Sequence, residues 1–161
     1  MMRRYLAIAL LAVAVASTTG CAPTSPHPRG NVMTSDPAAK QRDGTLRTDL
    51  APIATRYPQL ASAESIEWMG GTTGTSDVGP TTYWVDVVAV VPQSEVDALQ
   101  AAGDLDPVQP PELVSGMRAK LPTGPFEGSP ALDELFSASG HSATVALDPR
   151  ARTIVLSGLI E

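Results

Sequence analysis

Residues 81–91, TTYWVDVVAVV, decide the fold of this chain. They consist almost entirely of β-branched and aromatic residues, which favour strands, and Pro92 ends the run. The side chains of a strand alternate between its two faces, and both faces of this stretch are largely apolar. The stretch therefore predicts a central strand that is covered on at least part of each side.

Weaker strand signals lie before and after this stretch. The segment 65–69 predicts a short strand, and residues 70–80 are too rich in Gly and Thr to continue it. Residues 143–147 and 153–160 alternate between apolar and polar positions, as strands do. The tetrapeptide 148–151, DPRA, predicts a type I turn between these two strands. The chain thus has two pairs of consecutive strands.

Helical patterns occupy the remaining segments of the predicted domain. Apolar residues recur at helical spacing within residues 45–60, and further helices are predicted at 94–103, at 111–120 and from Ser129 onward. The element order is then α-β-β-α-α-α-β-β. Consecutive strands without an intervening helix favour antiparallel pairing, so the predicted fold class is α+β. We expect a four-stranded, mainly antiparallel sheet with helices packed on one face.

The composition excludes several classes of protein. Of 161 residues, 17 are acidic and 11 are Lys or Arg, which gives a net charge of −6. Such a surface repels the phosphates of nucleic acids, so no nucleic-acid partner is expected. The single cysteine cannot form an internal disulfide, and the one histidine of the predicted domain is too few for a zinc site. The sequence predicts neither a metal site nor a cofactor.

The N-terminal segment has the pattern of an export signal. Arg3 and Arg4 precede an unbroken apolar run, residues 6–16, which suits a signal peptide but is shorter than the ~20 residues of a membrane-spanning helix. Small residues then lead to Cys21. This arrangement, confined to residues 1–21, resembles the lipobox of bacterial lipoproteins. The resemblance implies cleavage directly before Cys21, thioether attachment of a diacylglycerol to its sulfur, and acylation of the new amino terminus.

These signals divide the chain into three segments. Residues 1–20 are the predicted signal peptide, residues 21–44 the lipidated Cys21 with a Pro-rich, disordered tether, and residues 45–161 a single α+β domain. Two or three acyl chains anchor a protein stably, whereas one does so only marginally. We therefore expect the protein on the extracytoplasmic side of the cell membrane, with the membrane as a partner through the lipid anchor.

Two residues are weak candidates for catalysis. Asp86 lies within the apolar central strand, where a buried carboxylate gains acid or base character, but no partner for it is identifiable in the sequence. His141 follows Ser139, and Asp133 or Glu134 could orient its ring as in a catalytic triad. Because the sequence contains no G-x-S-x-G nucleophile motif, a polar loop is the favoured interpretation of this segment.

Three aromatic residues are candidates for binding. Trp68, Tyr83 and Trp84 lie on the two neighbouring predicted strands. An outward-facing ring among them would stack on a sugar or anchor a protein partner, whereas inward-facing rings would belong to the core.

The leading hypothesis is a non-enzymatic binding or interaction domain held at the membrane by lipid. Its partner would be another envelope protein or a small-molecule ligand, and it predicts an exposed apolar patch or a groove beside the sheet. The alternatives are an envelope hydrolase that uses His141 and a carrier of a lipid or another apolar ligand.

Overall fold

The computed structural model describes residues 40–41, 44–73, 82–102, 104–138 and 140–161. The predicted signal peptide, Cys21, and the predicted tether up to residue 39 lie outside the described residues. Lys40 and Gln41, which the sequence analysis assigned to the tether, form a strand that pairs with the domain.

Short helices alternate with strands along the described chain. The elements are β1 (Lys40–Gln41), α1 (Ala51–Arg56), a 3-10 turn (Pro58–Leu60), β2 (Ser65–Thr73), β3 (Tyr83–Val90), α2 (Gln93–Ala102), β4 (Asp106–Val108), α3 (Ser115–Arg118), β5 (Phe126–Gly128), α4 (Pro130–Phe136), β6 (His141–Asp148) and β7 (Thr153–Ile160). Within the described residues, seven strands form one sheet in the order β1-β2-β3-β7-β6-β5-β4, and every neighbouring pair is antiparallel.

The predicted four-stranded sheet with helices on one face is wrong, although the protein is broadly α+β. Strands β3, β6 and β7 lie where the sequence indicates strands, and three strands of two or three residues extend the sheet at its edges. The expectation that residues 70–80 do not continue the first strand is wrong for its start, because β2 runs on to Thr73 and Gly70, Gly71 and Thr72 pair with β3. Strand β1 lies in the predicted tether, and β4 and β5 lie between predicted helices, where no strand was expected. A segment this short cannot show the alternation on which strand prediction depends.

Helical and extended segments cover both faces of the sheet. On the first face, α1, α2 and α4 bury Ile53, Val96, Leu99, Leu132 and Phe136 against alternate residues of β3 such as Val85 and Val87. On the second face, α3 and the segment before it bury Leu113, Val114 and Met117 against Met69, Trp84 and Val155. The apolar character of both faces of β3 is explained by this two-sided core.

The segment before α3 shows why one predicted helix is wrong. A helix was expected over residues 111–120, but α3 contains only Ser115–Arg118. Val114 is extended, with φ −59° and ψ 155°, and its N–H donates to the carboxylate of Asp86 at 2.7 Å. A contact with the sheet has thus replaced the first helical turn in this segment.

Two local predictions are confirmed. Ser129 caps α4, because its Oγ accepts from the N–H of Leu132 at 3.2 Å. Asp148 closes the turn between β6 and β7, because its Oδ1 accepts from the N–H groups of Arg150 and Ala151 at 3.0 Å each. Both features depend on neighbouring residues, so the sequence alone indicates them.

Candidate functional site

An open cavity of about 420 Å³ lies between α1 and the adjoining ends of β2, β3 and β7. We call it the aromatic cavity, because the three candidate binding residues are among those that line it. The residues important to its chemistry are Arg47, Ile53, Arg56, Trp68, Tyr83 and Trp84. Its floor is formed by strands and one wall by a helix, so the site is held on regular elements of the fold.

The three aromatic residues differ in their exposure. Tyr83 is 50% exposed, whereas Trp68 is 7% and Trp84 only 1% exposed. The two tryptophans therefore belong mainly to the core, in line with the alternative interpretation of their role. The ring of Tyr83, at the start of β3, remains available to a ligand.

Arg47 is held beside Trp68 by main-chain and side-chain contacts. Each residue donates its N–H to the other's carbonyl oxygen at 2.9 Å. The guanidinium carbon of Arg47 lies 4.8 Å from the centroid of the indole ring, within the range of a cation–π contact. The ring is held in turn, since Trp68 Nε1 donates to the carbonyl oxygen of Asp49 at 3.0 Å.

The charge at the aromatic cavity is opposite to that of the whole chain. Arg47 and Arg56 line it, and no Asp or Glu is among its described lining residues. Within the described parts of the chain, neither guanidinium is ion-paired with a carboxylate. The cavity is thus apolar in its depth and positively charged at its rim.

Asp86 is buried and carries a complete set of partners. Its side chain is 0% exposed, and Lys40 Nζ lies 2.5 Å from its Oδ1 while the N–H of Val114 donates to Oδ2. The ammonium group also donates to Ser157 Oγ and to the carbonyl oxygen of Glu112, both at 3.0 Å. Because the carboxylate is completely buried and bonded at both oxygens, it is not accessible to a substrate.

A second groove lies beside Lys40 and Asp86 on the other face of the sheet. It measures about 540 Å³ and runs between the segment before α3 and the outer side of β6 and β7. Thr144, Ser157 and Leu159 are among its lining residues, and Lys40 lies among them as well. The three hydrogens of the Lys40 ammonium are already donated to Asp86, Ser157 and Glu112, which leaves none for a ligand.

His141 packs against an aromatic ring, and no triad forms around it within the described residues. It is the first residue of β6, so the predicted polar loop does not extend to this position. Its imidazole makes an edge-to-face contact with Tyr57, with 5.4 Å between ring centroids. Asp133 Oδ1 accepts from the N–H of Val145 at 2.7 Å. Among the described residues, no carboxylate forms a hydrogen bond or ion pair with the imidazole. Ser139 lies outside the described residues.

Tyr57 directly follows α1 and its side chain is buried. Its hydroxyl is buried and forms no hydrogen bond with another described residue. Burial raises the pKa of Tyr57 to about 12, and the positive charge of Arg56 offsets part of that rise. The side chain of Tyr57 therefore belongs to the hydrophobic core.

Searches of the described residues for other functional features were negative. They contain no group of three His, Cys, Asp or Glu side chains placed to hold a metal ion. None of the described helices has the length and apolarity needed to cross a membrane. Comparison of the chain with protein-family models, with curated proteins and with solved structures gave no significant match.

Sequence reasoning missed the three cations that give these sites their charge. Lys40 was assigned to the tether. The sequence did contain one indication of its role, because a carboxylate within an apolar strand, such as that of Asp86, requires a compensating partner. Arg47 and Arg56 carried no motif, because Arg47 is placed by its bridge to Trp68 and Arg56 by the packing of α1 on the sheet.

Proposed function

We propose that this protein is a lipid-anchored binding protein on the extracytoplasmic side of the cell membrane. Its domain binds a small ligand in the aromatic cavity and does not transform it. The observation that carries the binding role is the half-exposed ring of Tyr83 at an open cavity that Trp68 also lines. The anchoring role rests on the residue pattern before Cys21.

The dimensions and lining of the aromatic cavity support a small ligand. Its volume of about 420 Å³ lies within the range of roughly 300–1,000 Å³ that is typical of small-molecule sites. Its lining includes apolar residues such as Ile53, Val85 and Ile160, and the two arginines supply charged groups. Such sites gain affinity from apolar burial and orientation from a small number of polar contacts.

The two weak catalytic candidates support a binding role through their contacts. Asp86 is engaged by Lys40 and Val114, and the ring of His141 is packed against Tyr57. Neither residue lines the aromatic cavity. A hydrolase would need a nucleophile, a base and an oxyanion site around one position, and neither residue contributes to such an arrangement in the described chain.

Tryptophan fluorescence tests the binding role. The full chain carrying Cys21→Ser is titrated with 2-naphthalenemethanol, a neutral aromatic probe, because Trp68 lines the aromatic cavity and lies in the core cluster of the same face. We expect saturable quenching that weakens about tenfold in Tyr83→Ala. Leu135→Ala, which truncates another exposed apolar side chain on α4, serves as the control and should bind as the parent does. Equal binding of the probe by Tyr83→Ala would contradict the proposal, as would a failure of both this alcohol and anions with the same naphthalene body to bind.

Mass spectrometry of the membrane-bound protein tests the anchor. We expect a mature chain that begins at Cys21 and carries the mass of a diacylglycerol, with or without a further acyl group. Cys21→Ser should appear in the soluble extracytoplasmic fraction. A free thiol at position 21, or a mature chain that starts elsewhere, would refute the lipid anchor and leave the binding test unaffected.

A further inference from the structure

We propose that the ligand of the aromatic cavity carries an oxyanion, a carboxylate or a phosphate, which Arg47 and Arg56 bind at the rim. The inference rests on the proposed binding function and names the chemistry of its ligand. An apolar body would lie against the floor of the cavity, and the anionic group would lie at its positively charged rim.

The local charge distribution supports an anionic ligand. The chain has 17 acidic residues against 11 basic ones, yet two arginines and no described carboxylate line this cavity. A planar guanidinium presents its N–H donors in a fork that matches two oxygens of a carboxylate or phosphate. The net negative charge of the protein disfavours anions elsewhere, so the cavity is a local exception.

Arg47 is positioned for this role before a ligand arrives. Its main chain pairs with that of Trp68, and its guanidinium lies over the indole ring. Stacking covers one face of the guanidinium, whereas its hydrogen-bond donors lie around the edge and remain accessible. Because the Arg47 side chain is already ordered, little conformational entropy is lost when a ligand binds, and binding is correspondingly tighter.

Arg56 approaches the same cavity from a different element. It lies in the last turn of α1, whereas Arg47 lies in the segment that pairs with β2. Two cations from separate elements thus converge on one cavity, and the neighbouring Tyr57 responds to the charge of Arg56. The second groove differs, since its Lys40 is saturated by protein acceptors and its Arg118 is ion-paired with Glu112.

Three matched probes test the inference on the full chain carrying Cys21→Ser. They share a naphthalene body and differ in their polar group: 2-naphthoate, 2-naphthyl phosphate and neutral 2-naphthalenemethanol. We expect the better of the two anions to bind at least tenfold more tightly than the alcohol at low salt, because charge-assisted hydrogen bonds add to the same apolar contact. The ratio between the two anions identifies which oxyanion the rim prefers.

Charge-removing variants locate the effect. Arg47→Gln and Arg56→Gln should each weaken binding of the preferred anion about fivefold or more, and leave binding of the alcohol within about twofold. Arg150→Gln removes the same charge from an exposed residue at the opposite end of β7, and should leave the preference for the anion intact.

The outcomes separate the two proposals. If the alcohol binds but neither anion binds more tightly, or if both arginine variants keep the preference, the oxyanion inference is overturned and the binding function stands. If none of the three probes binds, the proposed function fails and the inference fails with it.

Discussion

Lys40 Nζ lies 2.5 Å from Asp86 Oδ1, although the two residues are 46 positions apart in the chain. The ammonium reaches the middle of β3 from the edge strand β1, and its nitrogen, Lys40 Nζ, lies 5.7 Å from the centroid of the Trp84 ring. The carboxylate is fully buried, whereas the lysine side chain is 22% exposed. This pair therefore joins the beginning of the described chain to the centre of the sheet.

Removal of the Lys40 charge should destabilise the domain. Lys40→Met leaves the Asp86 carboxylate buried without its cation, and the expected loss is roughly 3–5 kcal/mol of unfolding free energy. Urea denaturation of the full chain carrying Cys21→Ser measures it. Adding Asp86→Asn to this variant should recover much of the loss, because the uncompensated charge is then absent.

Lys120→Met is the matched control for that experiment. Lys120 Nζ lies 2.6 Å from Glu67 Oε1, but both side chains are about one-third exposed. An exposed pair of this kind contributes about 0–1 kcal/mol. If Lys40→Met and Lys120→Met lowered the unfolding free energy equally, the buried Asp86 carboxylate would not depend on the charge of Lys40.

Tyr57 should make the stability of the domain fall at alkaline pH. Its pKa in the folded state is about 12, above the usual 10, so folding favours the neutral phenol. This contribution to the unfolding free energy is fully present below pH 10 and is lost as the pH rises towards 12. In Tyr57→Phe the unfolding free energy should lack this part of the decline. Urea denaturation of the parent and of Tyr57→Phe between pH 8 and pH 12 measures the difference. Parallel curves for the two proteins would contradict the prediction.

Gly158 should tolerate no larger side chain while Tyr57 is present. A Cβ at this position of β7 would overlap the Tyr57 hydroxyl and lie 3.2 Å from Val85 Cγ1. Gly158→Ala should therefore lower the unfolding free energy by about 1–3 kcal/mol. The double variant with Tyr57→Phe should recover part of this loss, because the overlapping oxygen is removed. Additive effects of the two substitutions in denaturation experiments would disprove the predicted overlap.

The cap of α4 gives a test of a purely local prediction. Ser129→Ala removes the oxygen that accepts from the N–H of Leu132 and should cost about 1 kcal/mol of unfolding free energy. Ser129→Asp restores an acceptor at the same place, and its unfolding free energy should lie within a few tenths of a kcal/mol of that of the parent. A similar loss in both variants would mean that the cap is not the source of the effect.

Features that depend on neighbouring residues were predictable from the sequence. The β-branched run around Val87 indicated β3, and alternation indicated β6 and β7. The cap at Ser129 and the turn at Asp148 likewise follow from local hydrogen-bonding chemistry. The short strands β1, β4 and β5 were missed because two or three residues carry no period.

The candidate site was only partly predictable for the same reason. Trp68, Tyr83 and Trp84 were identified from their type and their adjacent strands, and all three border one cavity, although the Trp84 ring packs in the core of the second face. Which of them is exposed depends on how α1 covers the first face and α3 the second, and a sequence pattern does not contain that arrangement. Arg56 reaches the cavity through the packing of α1, and Arg47 reaches it through its bridge to Trp68.

The sequence by itself determined strands β3, β6 and β7, the first part of β2, the local caps and turns, and the pattern before Cys21 that predicts a lipid anchor. Only the tertiary structure decided that both faces of the sheet are covered, that Lys40 neutralises Asp86, and that two arginines meet Trp68 and Tyr83 at one cavity. The physical reason is that burial and charge pairing are set by contacts between residues far apart in the chain, whereas strand alternation and capping are set by neighbours.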